Sequence, residues 1–359
     1  MAGRVTSDFM LVGSLPSAST EDAFRTCAPL FGDCCFALPD GETGDRALWI
    51  CQEANLLFRP HPDLEILQLP KDTPPGLPDW APGHQWDMQE FRLKPGVTSL
   101  KLDEWVRMDD AIESYQTYRT LRDQGVIPTG VRFQIGLPWP MSAIGMWFRE
   151  NFRNDYPIVA AGYEDLVGRQ LERLFKHVPA EDIAIQWDVC AEVLDIEGIL
   201  QWVNKEQSWD RYADPIPRLA RFVPEEALLG YHLCYGTFPA WPMFEAKDMG
   251  LVVRMANEAV ASSGRTVDFL HLAGPKTSRS DDDSFFQPLA DLKVGDARVF
   301  LGLAMNVDGK VGLKLREKTA RRHLANFGVA NYCGFGRQPG VDPAETILAH
   351  HRLVDAFRG

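Results

Sequence analysis

The 359-residue sequence has no run of about 18 uncharged apolar residues, no block of lysines and arginines, and no glycine-rich GxGxxG turn after its first strand. Each absence excludes a class of function. Without the apolar run no membrane span is expected, and the short apolar stretch ending at Gly13 is too brief for the core of a signal peptide. The 37 Lys and Arg are scattered and outnumbered by 50 Asp and Glu, giving a formal charge of −13. Nucleic acid and anionic membrane surfaces are therefore unexpected partners. The missing glycine turn argues against a doubly wound dinucleotide-binding sheet. Cysteine is sparse and odd in number, at positions 27, 34, 35, 51, 190, 234 and 333, without the density of a secreted disulfide scaffold. A reducing cytoplasm is the expected compartment, where a cysteine is a small buried hydrophobe, a metal ligand or a reactive thiol.

What is present is an alternation of short apolar runs with longer amphipathic ones. Strands are expected at 9–14, 34–39, 131–138, 182–188, 227–235, 267–272, 298–305 and 327–333, each followed by helical sequence. Helices are expected near 142–153, 160–177, 243–263, 312–326 and 343–357, among others. Residues 59–104, rich in Pro, Trp and Gly, read as an elaborated loop after the second strand-helix unit, with EILQL and MQEFRL as its hairpin. Eight repeats predict an α/β fold, a (β/α)₈ TIM barrel, with residues 1–359 as a single domain.

Barrel enzymes carry their chemistry at the C-terminal ends of the strands. The ends here hold Gly13 and Ser14; Asp40 and Glu42; Trp139; Asp188; His232 and Cys234; His271; and Cys333 with Arg337. In His232-Leu-Cys234 the two side chains sit at i and i+2 of a strand and project to one face. Cys333 can supply a third ligand, and three N/S ligands with an open position is the catalytic form of a zinc site. The alternative is a hydrogen-bonded core histidine with two buried thiols. Glu42 and Asp188 can hold a substrate ammonium or act as general acid and base, or pair with Arg46 or Arg337. Trp139 can be a platform for a flat substrate or loop packing. Arg337, after Gly334 and Gly336, can reach a carboxylate or lie in a surface salt bridge. Cys34 and Cys35 read as core filling.

Several of these segments together resemble the C-terminal catalytic domain of cobalamin-independent methionine synthase. GYHLCYGTF (230–238) resembles its zinc-binding His-x-Cys motif, and ANYCGFGR (330–337) the late cysteine motif that completes the site. LVGSLP (11–16), PDGETGDR (39–46) and AIQWD (184–188) are similar to its amino-acid-binding segments, and LPW (137–139) to the strand whose Trp stacks on folate. The resemblance implies zinc on His232, Cys234 and Cys333, a substrate thiol held as thiolate, and substrate contacts from Gly13, Ser14, Glu42, Trp139 and Asp188. Three differences stand out. Ala273 lies near the place of the family's glutamate ligand, leaving His271 as a substitute or the metal lost. Glu192 and Asp195 are loose counterparts of its second amino-acid-binding carboxylate. The chain is also about half the family's length.

The expected activity is that of a zinc-dependent methyl- or alkyl-transferase acting on a small-molecule thiol. A metal-independent lyase or decarboxylase of the same superfamily, using Asp188, His232, His271 and Arg337, is the alternative. A catalytically inactive small-molecule binding protein is the third.

Overall fold

Polar caps and apolar periodicity divide the chain into strands and helices. In the computed structural model, which describes residues 4–84, 86–237, 241–336 and 342–359, the first half comprises β1 (Phe9–Met10), α1 (Thr20–Phe31), β2 (Ala37–Pro39), α2 (Trp49–Leu57), β3 (Leu64–Gln68), β4 (Glu90–Leu93), α3 (Val106–Asp123), β5 (Arg132–Pro138), α4 (Pro140–Ile144) and α5 (Phe152–His177). There follow β6 (Ile183–Val189), α6 (Ala191–Ile196), α7 (Ser208–Ala213), α8 (Pro215–Ala220), β7 (Leu228–Leu233), α9 (Gly250–Ser262), β8 (Phe269–Ala273), α10 (Asp283–Phe286), β9 (Arg298–Ala304), α11 (Gly309–Ala320), β10 (Gly328–Asn331) and α12 (Pro343–Arg358). No helix is long and apolar enough to cross a membrane among the described residues.

Eight strands form one parallel sheet in the order β1-β10-β9-β8-β7-β6-β5-β2. A parallel bridge between Phe9 and Cys35 brings the two ends together. This is the expected (β/α)₈ barrel, nearly closed. β3 and β4 pair antiparallel, so the 59–104 excursion contains its hairpin.

β1 is shorter than the apolar run 9–14 suggested, for a reason that shapes the site. The carbonyls of Leu11 and Val12 accept from Gln134 Nε2 at 2.9 Å each, and Val12 also from Gln186 Nε2 at 2.8 Å. Two interior glutamines thus satisfy backbone that has left the ladder, and the chain carries Gly13 and Ser14 into the barrel mouth. α5 starts at Phe152 rather than near 160 and runs through Pro157, which leaves the Arg153 carbonyl without its i→i−4 donor. α9 starts later than expected.

The main core lies between the sheet and its helices, while a smaller apolar cluster including Met10, Phe36, Leu228, Phe269 and Phe300 plugs the barrel interior. Gly230 faces this plug, and a Cβ there meets the Phe269 ring at 2.4 Å. Gly230→Ala is expected to destabilise by about 1–3 kcal/mol through overpacking, read as a lower urea midpoint with an unchanged slope.

Candidate metal centre

Strand register assembles the centre. Asp188 on β6 lies beside His232 on β7, and His232 beside His271 on β8. Cys234 follows the end of β7, held by its backbone N–H donating to Val189 O at 3.0 Å. Cys333 follows β10, past an irregularity in the ladder between Val329 and Asn331. His232, Cys234 and Cys333 are buried, and one ligand atom from each lies within 4.8 Å of the others. That spacing suits three N/S ligands around one tetrahedral ion.

Hydrogen bonding sets the state of the histidine. His271 Nε2 lies 2.8 Å from the Asn331 carbonyl, which can only accept, so Nε2 carries the proton. His271 Nδ1 is then a bare acceptor, and His232 Nδ1, 2.7 Å away, must donate to it. This leaves the buried His232 Nε2 with a lone pair that faces the Cys333 thiol. Burial pushes His271 down to about 4 and, together with the neighbouring His271, holds His232 below its ordinary value. Both rings are neutral at physiological pH, as ligation requires.

The sulfurs complete the set. The Gly236 N–H donates to Cys234 Sγ at 3.3 Å, and the Cys333 thiol donates to Thr237 Oγ1 at 3.9 Å. A hydrogen bond with Cys190, then burial, push the Cys234 thiol well above its ordinary range; the bond with Cys234, then burial, do the same for Cys333. Two buried thiols so poised ionise when a cation lies between them. The buried imidazole nitrogen and the paired thiols fit a zinc ion. His271 is the positioning residue behind the imidazole, so His271→Ala is expected to weaken zinc binding about 10–100-fold, read by competition with a chromogenic chelator.

A charged corner adjoins the cluster. Glu42, at φ 51°, turns its buried carboxylate to within 3.5 Å of Arg107 Nη2, with Oε1 close against Gly13. A Cβ on Gly136 lies 2.9 Å from Asp188 Oδ2, so only glycine there leaves room for that carboxylate. Burial, and next the Glu42 charge, raise Asp188 well above the usual carboxylate range. Ser14 Oγ and carbonyl accept from the Gly336 N–H, at 3.3 and 3.1 Å, tying the Gly13-Ser14 turn to the loop that carries Cys333. Arg46 pairs with Asp40 rather than with Glu42.

No family model matches the sequence, and no curated protein matches it. Among solved structures, one of a B12-independent methionine synthase from Shewanella sp. W3-18-1, in complex with selenomethionine, aligns with a TM-score of 0.57. The alignment covers 99% of this chain and 98% of that one at 14% identity. The two chains share the barrel fold. That solved chain and this one are thus of similar length.

Other sequence expectations fall differently. Trp139 does not line the site: it is fully buried, donates from Nε1 to Tyr212 O at 3.2 Å, and packs edge-on against Trp187 and Tyr231. One residue beyond Pro138, it faces the helices instead of the barrel mouth. His271 is neither exposed to a substrate nor a ligand substitute, because both its nitrogens are engaged. Glu192 braces the turn after β6: it accepts from Ser142 N and Oγ at 2.9 and 2.7 Å, while Ser142 Oγ accepts from the Cys190 and Ala191 N–H groups. Asp195 is held by Arg211 and Ser208. Arg337 lies outside the described residues. Sequence reading missed Arg107, Asn331 and Cys190; the last shares the face of Asp188 two residues on, a signal the alternation carried.

Proposed function

We propose that the protein is a zinc-dependent transferase that activates the thiol of a small molecule and alkylates it. The observation that carries this reading is the buried, lone-pair-bearing His232 Nε2 facing the Cys333 thiol and within reach of Cys234. Zinc held by these three residues supplies the Lewis acidity that keeps a coordinated thiol deprotonated at neutral pH. The remaining roles belong to the chain. Asn331 and His271 fix the imidazole by their hydrogen bonds. Glu42 and Asp188, two buried carboxyls beside Arg107, would receive a substrate ammonium, whose arrival favours the ionised form of Asp188. Gly13 and Ser14 shape the wall beside them. The partner is a small molecule, and seven free cysteines suit a reducing cytoplasm.

Proton release tests the reading. At pH 7, adding L-homocysteine to zinc-loaded protein is expected to release about one proton per bound thiol, because coordination deprotonates the thiol. The same thiol lacking its amino group should bind at least tenfold more weakly to the wild type, with the difference lost in Glu42→Gln/Asp188→Asn. Thiol binding without proton release contradicts the proposal. A second reading, a metal-independent lyase or decarboxylase, draws on Ala273, which offers no donor where the family resemblance places a glutamate. Activity that survives a strong chelator and Cys234→Ser but is lost in His232→Ala selects it.

A further inference from the structure

A cavity of about 130 Å³ opens beside the two cysteines. Cys190, whose thiol hydrogen-bonds Cys234, and Thr237, the acceptor for Cys333, stand on its wall. Apart from Ser142, whose hydroxyl is engaged by Glu192, the rest of the wall is mostly apolar and soft, built largely from Trp49, Met88, Met146, Trp147, Leu194 and Met243. No charged side chain is among the described residues that line it. The charged corner is kept apart: Arg107, which faces Glu42, lies over the Trp49 ring at 4.6 Å.

We propose that this cavity holds the apolar body of the second substrate, the alkyl donor, which is a neutral molecule with a benzene-sized group near its reacting carbon. The proposal rests on the thiol-alkylation reading above. An apolar cavity of about 150 Å³ accommodates benzene, so the volume here limits the buried group to a similar size. A charged group on this wall loses its hydration with nothing in return, whereas methionine side chains adapt to varied apolar shapes and contact aromatic rings favourably. The chemistry balances: the thiolate supplies the electron pair of the new sulfur–carbon bond, and the donor's leaving atom takes the pair of the bond that breaks.

The test titrates toluene into zinc-free and zinc-loaded protein, following tryptophan fluorescence and the ¹³C-methyl signals of methionine. Saturable binding that shifts Met88, Met146 and Met243 is expected in both forms. Benzylamine and benzoate, each charged at pH 7, should bind at least tenfold more weakly. Met243→Trp, at a partly exposed position, should weaken toluene at least tenfold with an unchanged melting temperature; should that variant misfold, the methyl shifts of the wild type decide. Absence of those shifts, or equal binding of the charged probes, overturns the proposal while leaving thiol activation standing. Toluene binding by a protein that takes up no zinc removes the thiol-alkylation reading, and with it the cavity's assignment to an alkyl donor.

Discussion

Replacing Cys234 or Cys333 by serine is expected to lower bound zinc from about one equivalent per chain to under a tenth after dialysis against a weak chelator. Structural zinc sites bind with about 10–16 kcal/mol in total, so one ligand of four accounts for roughly 3–4 kcal/mol, or about 10²–10³-fold in affinity. Serine nearly matches the thiol in size without supplying a soft anionic donor, so the fold should persist and far-ultraviolet circular dichroism should not change. His232→Ala is predicted to be worse, because it removes a ligand and also strips His271 Nδ1 of its hydrogen-bond donor in a buried place. His271→Ala sits between wild type and these variants. Metal analysis of the wild type and the four variants therefore yields a graded series. A wild-type protein holding less than a tenth of an equivalent, unchanged after refolding with zinc, would falsify the metal assignment.

The series follows from features of different legibility. Strand-end position and the i, i+2 spacing of His232 and Cys234 were readable, because a strand's period of two is a local property. Pairing with Cys333 needed only the barrel's closure, which eight repeats implied. The burial of Trp139 and the place of His271 behind His232 are less legible, for separate reasons. Gln134 faces the interior, so alternation along β5 places Gly136 and Pro138 inward and Trp139 outward, against the likeness to a folate-stacking tryptophan. Nothing local marks His271 as the residue behind the ligand, because its role is fixed by a carbonyl 60 positions away on another strand. Arg107 lies at the start of α3, and only packing brings it to Glu42. Its importance is electrostatic, and it extends to a carboxyl outside the metal centre.

That carboxyl is Glu53, on α2, which is 9% exposed. Burial pushes it up to about 8, and Arg107 and a hydrogen bond from the Trp105 indole offset only part of the shift. The group is thus protonated in the folded protein at neutral pH, while in the unfolded chain it ionises near its ordinary value of 4.5. A raised acid stabilises fully below the unfolded value and loses that contribution as pH rises to the folded value. Wild-type stability should therefore fall between about pH 4.5 and pH 8 on account of Glu53, by on the order of 3–5 kcal/mol at 1.36 kcal/mol per unit. Glutamine mimics the neutral carboxyl and cannot ionise, so Glu53→Gln should match wild type at pH 4 and exceed it by that amount at pH 8 and above. Asp188 and Glu192 are also raised, and their contributions cancel in the difference between the two proteins. Urea denaturation of both from pH 4 to pH 9 measures it, and parallel stability curves would show that Glu53 ionises in place. Above pH 8 the wild-type Glu53 carboxylate competes with Glu42 and Asp188 for Arg107.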